Sequence, residues 1–434
     1  MRAHGLICVC LLLVVGCDDT TPTGTDAGTN AGTDAGTDAG PPMDAGEMPL
    51  PDPPPSEPGR HDVTILETRR VVPSDGLPVE AAPQHSNNNL DVIRHAGRVY
   101  LAWRTAPDHY AGPDTILYVV SSEDEVTWDF EASFTMGTDL REPGFLSLGD
   151  SLFFYFSVLG TDHLAFEPMG VMVAERHADG SWTDAEPVAG LDGYIAWRTR
   201  TERGTPYMTA YLGGEHIYLF DGLPLTIDLL TTTDGRAWTP VDPARRTIYT
   251  GGGSETDFVI GDDGTLFGVI RNEAGDDNGW GSMVCRAPAG DLANWGCHID
   301  PRKYDSPLMF WHDGEAYLVG RRQVTQTGHY DLMTRRGSHT AQTAANQIPY
   351  TQTPKRCALW RYVQSEDRIA FVMDLPSGGD TCFPSRLEGG ASDEVVIYDY
   401  SNDIDDPATA RLAWNQGQVG DTYIYRHVLR FTPR

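Results

Sequence analysis

The chain has 434 residues, 62 acidic and 32 basic, for a formal net charge of −30. That length exceeds the size at which one hydrophobic core stops growing, so it implies several domains or a repeat that adds core in slices. The acidic balance excludes a nucleic-acid partner, which needs a basic footprint, and two lysines, Lys303 and Lys355, leave almost no seat for Schiff-base or P-loop chemistry.

At the N-terminus, Arg2 precedes an apolar run from Leu6 to Gly16. The run is too short to span a bilayer and typical of a signal peptide. It ends Val14-Val15-Gly16-Cys17, which resembles the lipobox of bacterial lipoproteins. The resemblance implies that residues 1–17 are a leader, that Cys17 is lipidated, and that the protein sits in the cell envelope, held to the membrane by its N-terminal lipid. An ordinary signal peptide with a chance cysteine is the alternative. Residues 18–60 repeat Thr25-Asp26-Ala27-Gly28 through Gly40 and then turn proline-rich, with nine acids and one base. Such a segment buries too little to offset its ordering entropy, so a disordered tether is expected rather than a calcium site.

Cys8 and Cys10 fall in the leader, which leaves Cys285, Cys297, Cys357 and Cys382. An even number in an exported protein predicts two disulfides, Cys285–Cys297 across a hairpin and Cys357–Cys382. A zinc site would want a C-x-x-C spacing, which is missing.

From residue 61 the chain reads as short strands, such as Val99–Trp103, Leu152–Phe156, Leu266–Ile270 and Ala316–Gly320, punctuated by Gly/Asp turns. No long helical periodicity is visible. Trp128, Trp182, Trp238 and Trp295 recur every 54 to 57 residues, and three of them close related Asp-containing stretches, Ser122–Trp128, Thr232–Trp238 and Ala289–Trp295. A period near 55 with about four strands per unit predicts an all-β, six-bladed β-propeller over residues 61–434.

These Asp-turn-Trp stretches resemble the Asp-boxes of the sialidase superfamily, with Glu125 in place of the usual glycine. A more specific match is ETDFVIGDDGTLFGVIR (255–271), where the superfamily carries a Glu opening an innermost strand and an Arg ending the next. The order HSNNNLDVIR (85–94), DLREP (139–143), Trp197-Arg198, DSP (305–307) with Arg321-Arg322, and PSGGDTCFP (376–384) resembles bacterial sialidase-like proteins. The resemblance implies blades near 85–135, 140–190, 194–242, 254–301, 304–374 and 380–432, with His61–Val72 closing the last.

It also implies a central funnel lined by Asn89, Asp91, Arg104, Arg141, Glu142, Arg198, Glu255, Asp257, Arg271, Asp305, Arg321 and Asp380. Asp91, Arg104, Arg141, Arg198, Arg271 and Arg321 are the expected ligand-binding residues, because guanidinium forks suit a carboxylated or polyhydroxylated sugar. Asp108, Asp114, Glu255 and Asp380 are the candidate catalytic carboxylates. Pairing of these charges as structural networks is the competing explanation. The residues depart from the standard enzyme: Asn88-Asn89 stand where a triad arginine belongs and Phe383 where the tyrosine nucleophile belongs, unless Tyr304 or Tyr330 substitutes. Tyr110, Trp280 and Trp311 are candidate sugar-stacking aromatics. Gly251–Gly253 reads as a loop that lets a ligand approach. No cofactor or metal is expected. Two functions follow: a monomeric glycoside hydrolase acting on acidic or decorated glycans, or a non-catalytic glycan- or protein-binding propeller.

Overall fold

The structure, a computed structural model, describes residues 49–389 and 391–434. The leader, Cys17 and the 25–40 repeats lie outside these residues. Residues 50–434 form one compact unit. It is a six-bladed β-propeller of antiparallel sheets arranged around an axis. From the inside outward, blade 1 is Ser86–His95, Arg98–Ala106, Ile116–Ser122 and Asp129–Phe134. Blade 2 is Asp139–Leu148, Ser151–Leu159, Pro168–Arg176 and Glu186–Asp192. Blade 3 is Tyr194–Glu202, Thr205–Leu212 and Leu225–Thr231, whose outer edge pairs with both Thr239–Pro240 and Thr247–Gly251. Blade 4 is Gly253–Ile260, Leu266–Asn272, Met283–Ala287 and Gly296–Ile299. Blade 5 is Asp305–His312, Glu315–Gln323, Lys355–Val363 and Arg368–Asp374.

Blade 6 takes Ser385–Leu387, Glu394–Ser401 and Tyr423–Pro433 from the C-terminal end and its outermost strand, His61–Val72, from the N-terminal end. His61 pairs with Pro433 and Val72 with Ile424, so the two ends of the folded chain close the ring. Closure covers the edge that Tyr423–Pro433 would otherwise expose. The expected tether does not run free to residue 60. Ser56 Oγ donates to the Val372 carbonyl at 2.7 Å, the Glu57 amide donates to Phe371, and the Glu57 carboxylate meets Arg368 at 2.8 Å. These bonds lay the segment along the outer strand of blade 5.

The core is built in slices between adjacent sheets, as the chain length requires. Phe267 and Val269 of blade 4 pack with Met309, Leu318 and Trp360 of blade 5. Tyr100 and Ala102 of blade 1 pack with Phe145 and Phe154 of blade 2. The Asp-turn-Trp stretches join third to fourth strands. Asp124 Oδ1 accepts the amides of Val126 and Thr127 at 2.8 Å, and Asp234 Oδ1 accepts those of Arg236 and Ala237. Gly235 takes φ +72°, and Glu125, at the equivalent place, takes φ +61°. Glutamate tolerates that conformation here because its carboxylate is held by the Arg426 Nε–H at 2.6 Å and the Tyr398 hydroxyl at 2.8 Å.

One long element departs from the strand-only expectation. His339–Thr351, between the second and third strands of blade 5, is a helix whose first turn is capped by Ser338 Oγ, which accepts the Ala341 amide. Its buried face is Thr343, Asn346, Gln347 and Tyr350. A face so polar has no apolar 3.6-residue period to read.

Both expected disulfides form. Cys285–Cys297 ties the directly paired third and fourth strands of blade 4, and Cys357–Cys382 ties blade 5 to the segment that opens blade 6. The second closes a loop with a sequence separation of 25. Loop-closure entropy makes it worth about 3.5 kcal/mol. Replacing both Cys357 and Cys382 by Ser is expected to lower the denaturant-unfolding free energy by about that amount.

Candidate functional site

Neighbouring strands in each blade are antiparallel, so the start of the innermost strand, the end of the second and the segment joining second to third all lie on one face. The Asp-turns lie on the other. On the first face every innermost strand of blades 1 to 5 breaks register with its neighbour near its start. The break leaves unpaired Asn89, then Glu142-Pro143, Trp197, Ser254-Glu255 and Ser306-Pro307. Such bulges re-aim side chains out of the sheet. Asn89 (φ +39°), Glu142 (+52°) and Ser306 (+51°) sit in the left-handed region, as does Cys382 (+82°) ahead of the first strand of blade 6.

The floor of the funnel is closed. Blades 3 and 6 are diametrically opposite, yet the rings of Trp197 and Phe383 meet edge to face at 5.0 Å. Arg198 crosses the same gap, donating to the carbonyls of Pro384 at 2.6 Å and Pro307 at 3.4 Å. Burial pushes its guanidinium below the ordinary arginine value. Phe383 therefore serves as floor, with no oxygen to attack a substrate. Asp91 lies beside this layer as a strut between blades: it accepts the Phe145 amide of blade 2 at 2.7 Å and the Ser385 hydroxyl of blade 6 at 2.5 Å. Asp257 does the same from blade 4, accepting the Met309 amide of blade 5 at 2.6 Å and Arg200 of blade 3 at 2.8 Å.

The structure gathers the remaining predicted arginines at the funnel in two groups. In the first, Asp139 is shared. Its Oδ1 lies 2.9 Å from Arg104 and its Oδ2 2.5 Å from Arg141. Arg104 is fully buried and also donates to the carbonyls of Asp108 and Tyr110. Arg141 keeps 13% of its side chain exposed. Two guanidiniums share that one carboxylate, with Asp108 and Asp380 close by, and Arg141 is the member that reaches solvent. In the second group, Arg271 Nη1 lies 2.9 Å from both Glu255 and Glu273, and Lys303 Nζ 2.7 Å from Glu273 and 3.2 Å from Asp305. Arg321 Nη1 lies 3.3 Å from Asp305. Three cations meet three carboxylates there. Burial pushes Asp305 up, but Lys303, Arg321 and Arg271 outweigh it and hold the carboxyl below the usual range.

Among the candidate carboxylates, Glu255 is tied by Arg271 and by the Ser306 amide at 2.7 Å. Asp380 is fully buried, and its carboxylate accepts from the Tyr400 hydroxyl and the Trp414 indole, both at 2.9 Å, with His109 Nδ1 at 2.7 Å. Asp108 is half-buried and caps its own loop through the Tyr110 amide, and Asp114 is exposed at the rim. Of the aromatics, Tyr110 stacks on His163 at the rim, whereas Trp280 is buried with its indole on Thr343, and Trp311 stacks on Phe267 between blades. Tyr304 and Tyr330 are buried, their hydroxyls donating to Asp300 and to the Glu273 carbonyl. The Gly251–Gly253 run serves packing: a Cβ at Gly252 would lie 2.3 Å from Asn272 Oδ1 and 2.4 Å from the Gly275 amide nitrogen.

Three participants were not among the expected site residues. Glu142, expected only to line the funnel, is a carboxyl strongly changed by its surroundings. Burial and then the nearby Glu255 charge push it up to about 7, against the opposing Arg141 charge and the hydrogen bond from Asn89 at 2.9 Å. His109 stands alone in the sequence, and only the fold brings it to Asp380. Tyr218, 41% exposed on the single turn His216–Leu219, packs on Phe166 beside the mouth. A β-type reading of blade 3 has no signal for such a turn.

Neither a protein-family model nor a curated protein matches the chain. Solved structures do. A Dyadobacter fermentans protein of unknown function superposes with a TM-score of 0.57 at 14% identity, over 86% of this chain and 99% of that one. Trypanosoma rangeli sialidase, in complex with a difluorinated nononic acid, superposes with a TM-score of 0.51 at 12% identity, over 85% of this chain and 58% of the sialidase. The phage phi92 endosialidase gives a TM-score of 0.50 at 11% identity, over 86% of this chain and 70% of that one. At these identities the similarity is one of fold.

The position of Glu142 carries a stability prediction. Its folded value lies above the ordinary 4.5. Its contribution is therefore fully present below pH 4.5 and is lost as pH rises to about 7. Glu142→Gln is expected to exceed the wild type in unfolding free energy at pH 8 by up to about 3 kcal/mol, with the gap closing in acid, as read by urea titrations across pH.

Proposed function

We propose that this sialidase-like propeller binds an acidic or decorated glycan at the mouth of its funnel and hydrolyses it, as a lipoprotein held in the cell envelope through Cys17. The observation that carries the reading is Glu142: a carboxyl on a bulge at the axis, protonated up to about pH 7, beside a second carboxylate, Glu255. A proton donor to a glycosidic oxygen needs that protonation state near neutral pH. Arg141, the accessible member of the Arg104–Asp139–Arg141 group, supplies a guanidinium fork as anchor for an anionic group of the ligand. With Phe383 in the floor, the attacking oxygen is that of water rather than a tyrosine. The fold of the sialidases it resembles supports the substrate class.

One observation favours the second reading, a binding propeller without turnover. Arg271, Arg321 and Lys303 are already satisfied by Glu255, Glu273 and Asp305. A panel of 4-methylumbelliferyl glycosides, including glycuronides and sialosides, together with reducing-end assays on acidic polysaccharides, separates the two. The hydrolase reading predicts release by wild type and a loss of kcat of about 100-fold or more in Glu142→Gln, with glycan binding retained. Binding with no release from any member would leave the non-catalytic propeller.

A further inference from the structure

The loop between the second and third strands of blade 1 reaches across to blade 6. There His109 Nδ1 lies 2.7 Å from Asp380 Oδ2. An ionised carboxylate only accepts hydrogen bonds, so Nδ1 carries the proton and Nε2 carries the lone pair. Burial pushes Asp380 up, but its contact with His109, with Arg321 and the Tyr400 hydroxyl behind it, outweighs burial and holds the carboxyl below the usual range, so it stays ionised. Its geometry is fixed by the Tyr400 hydroxyl, the Trp414 indole and, through its own amide, Asn402. The His109 loop is clamped as well: its amide donates to the Gln418 carbonyl at 3.3 Å, and its carbonyl accepts from Arg141 at 2.7 Å. The Asn88 amide nitrogen lies 3.3 Å from Nδ1 on the other side, and the Trp414 ring packs edge-on at 6.3 Å. Nε2 has no partner among the described residues, and 15% of the side chain is exposed.

We propose that His109, positioned by Asp380, is the general base of this funnel and activates the attacking water; this rests on the hydrolase reading above. Nε2 takes a proton from water as the water oxygen bonds to the anomeric carbon. The bond from that carbon to the leaving oxygen breaks, its electron pair stays on the oxygen, and Glu142 supplies the proton. Solvent then removes the proton from His109 and returns one to Glu142. The arrangement suits the task. Arg141, next in the chain to Glu142, is bonded to the His109 carbonyl, and its guanidinium, which anchors the ligand's anionic group, acts electrostatically on both proton carriers. The groups facing His109 are Asp380 from blade 6 and Arg141 and Arg104 from blades 2 and 1. Burial, with the two arginines, outweighs Asp380 and holds the imidazole below its ordinary value, which keeps it neutral and basic at neutral pH. Asp380 is the positioning residue.

The test uses the full chain and the 4-methylumbelliferyl glycoside that wild type releases fastest. The pH profile of kcat/KM should be a bell. Its alkaline limb belongs to Glu142 and should vanish in Glu142→Gln. Its acidic limb belongs to His109. His109→Gln should lose about 100-fold or more in kcat, with KM nearly unchanged and the acidic limb gone. His109→Ala with added azide, a nucleophile that needs no base, should recover turnover and yield the glycosyl azide. Asp380→Asn should keep a bell but shift its acidic limb to lower pH, which a purely structural loss would not do. A His109→Gln variant within threefold of wild type, or with the acidic limb intact, overturns the proposal while leaving the Glu142 reading standing. Loss in His109→Gln beside an unaffected Glu142→Gln would sink the Glu142 assignment instead and retain His109. A wild type that binds glycan but releases nothing overturns both.

Discussion

At the axis of this ring, innermost strands slip register with their neighbours near their first residues, and the funnel depends on that slip. A regular strand would alternate its side chains between the two faces of the blade and offer the axis little but backbone. The bulges free Asn89, Glu142, Trp197, Glu255 and Ser306 from that alternation. Left-handed conformations at Asn89, Glu142 and Ser306 cost on the order of 1 kcal/mol each or more. They persist because the freed groups bond each other: Asn89 donates to Glu142, and the Ser306 amide donates to Glu255. The backbone and the site chemistry are therefore one construction.

Charge distribution around the axis follows from the same geometry. Where Arg271, Arg321 and Lys303 meet Glu255, Glu273 and Asp305, cations and carboxylates cancel, and the cluster cements blades 4 and 5. Where Arg104 and Arg141 share Asp139, the Arg141 guanidinium keeps an edge toward solvent. In a chain of net charge −30, that accessible donor fork is the feature an anionic ligand would find. Glu142 lies between the two groups, and its burial, with the Glu255 charge added, is what keeps it protonated. A neutral base and a protonated acid in one mouth are what single-displacement hydrolysis requires.

Much of the fold was legible. The tryptophan spacing gave the blade count because each recurring turn packs a Trp between sheets, and the cysteine arithmetic gave both disulfides. The ring's closing strand, His61–Val72, followed from the need to cover a sheet edge. The helix His339–Thr351 was not legible, since its buried face is polar and leaves no hydrophobic period. The site was legible as a region but not as roles. Arg198 reads like a ligand fork, yet it crosses the axis to backbone carbonyls of blade 5 and of the segment that opens blade 6. Asp91 reads like a funnel acid, yet it ties blades 6, 1 and 2 together. Asp380 reads like an accessible carboxylate, yet it is buried behind His109, and only the three-dimensional ring brings positions 271 residues apart into contact. Electrostatic coupling such as that of Glu142 to Glu255 has no signature in residue spacing.

The most direct test of the account is binding at the accessible guanidinium. Wild type and Arg141→Ala would be compared on an array of acidic glycans and their carboxyl-reduced, neutral counterparts. The account predicts that wild type prefers the acidic members by at least tenfold and that Arg141→Ala loses this preference while remaining folded. Equal binding of acidic and neutral glycans by wild type, or an unchanged preference in Arg141→Ala, would contradict it.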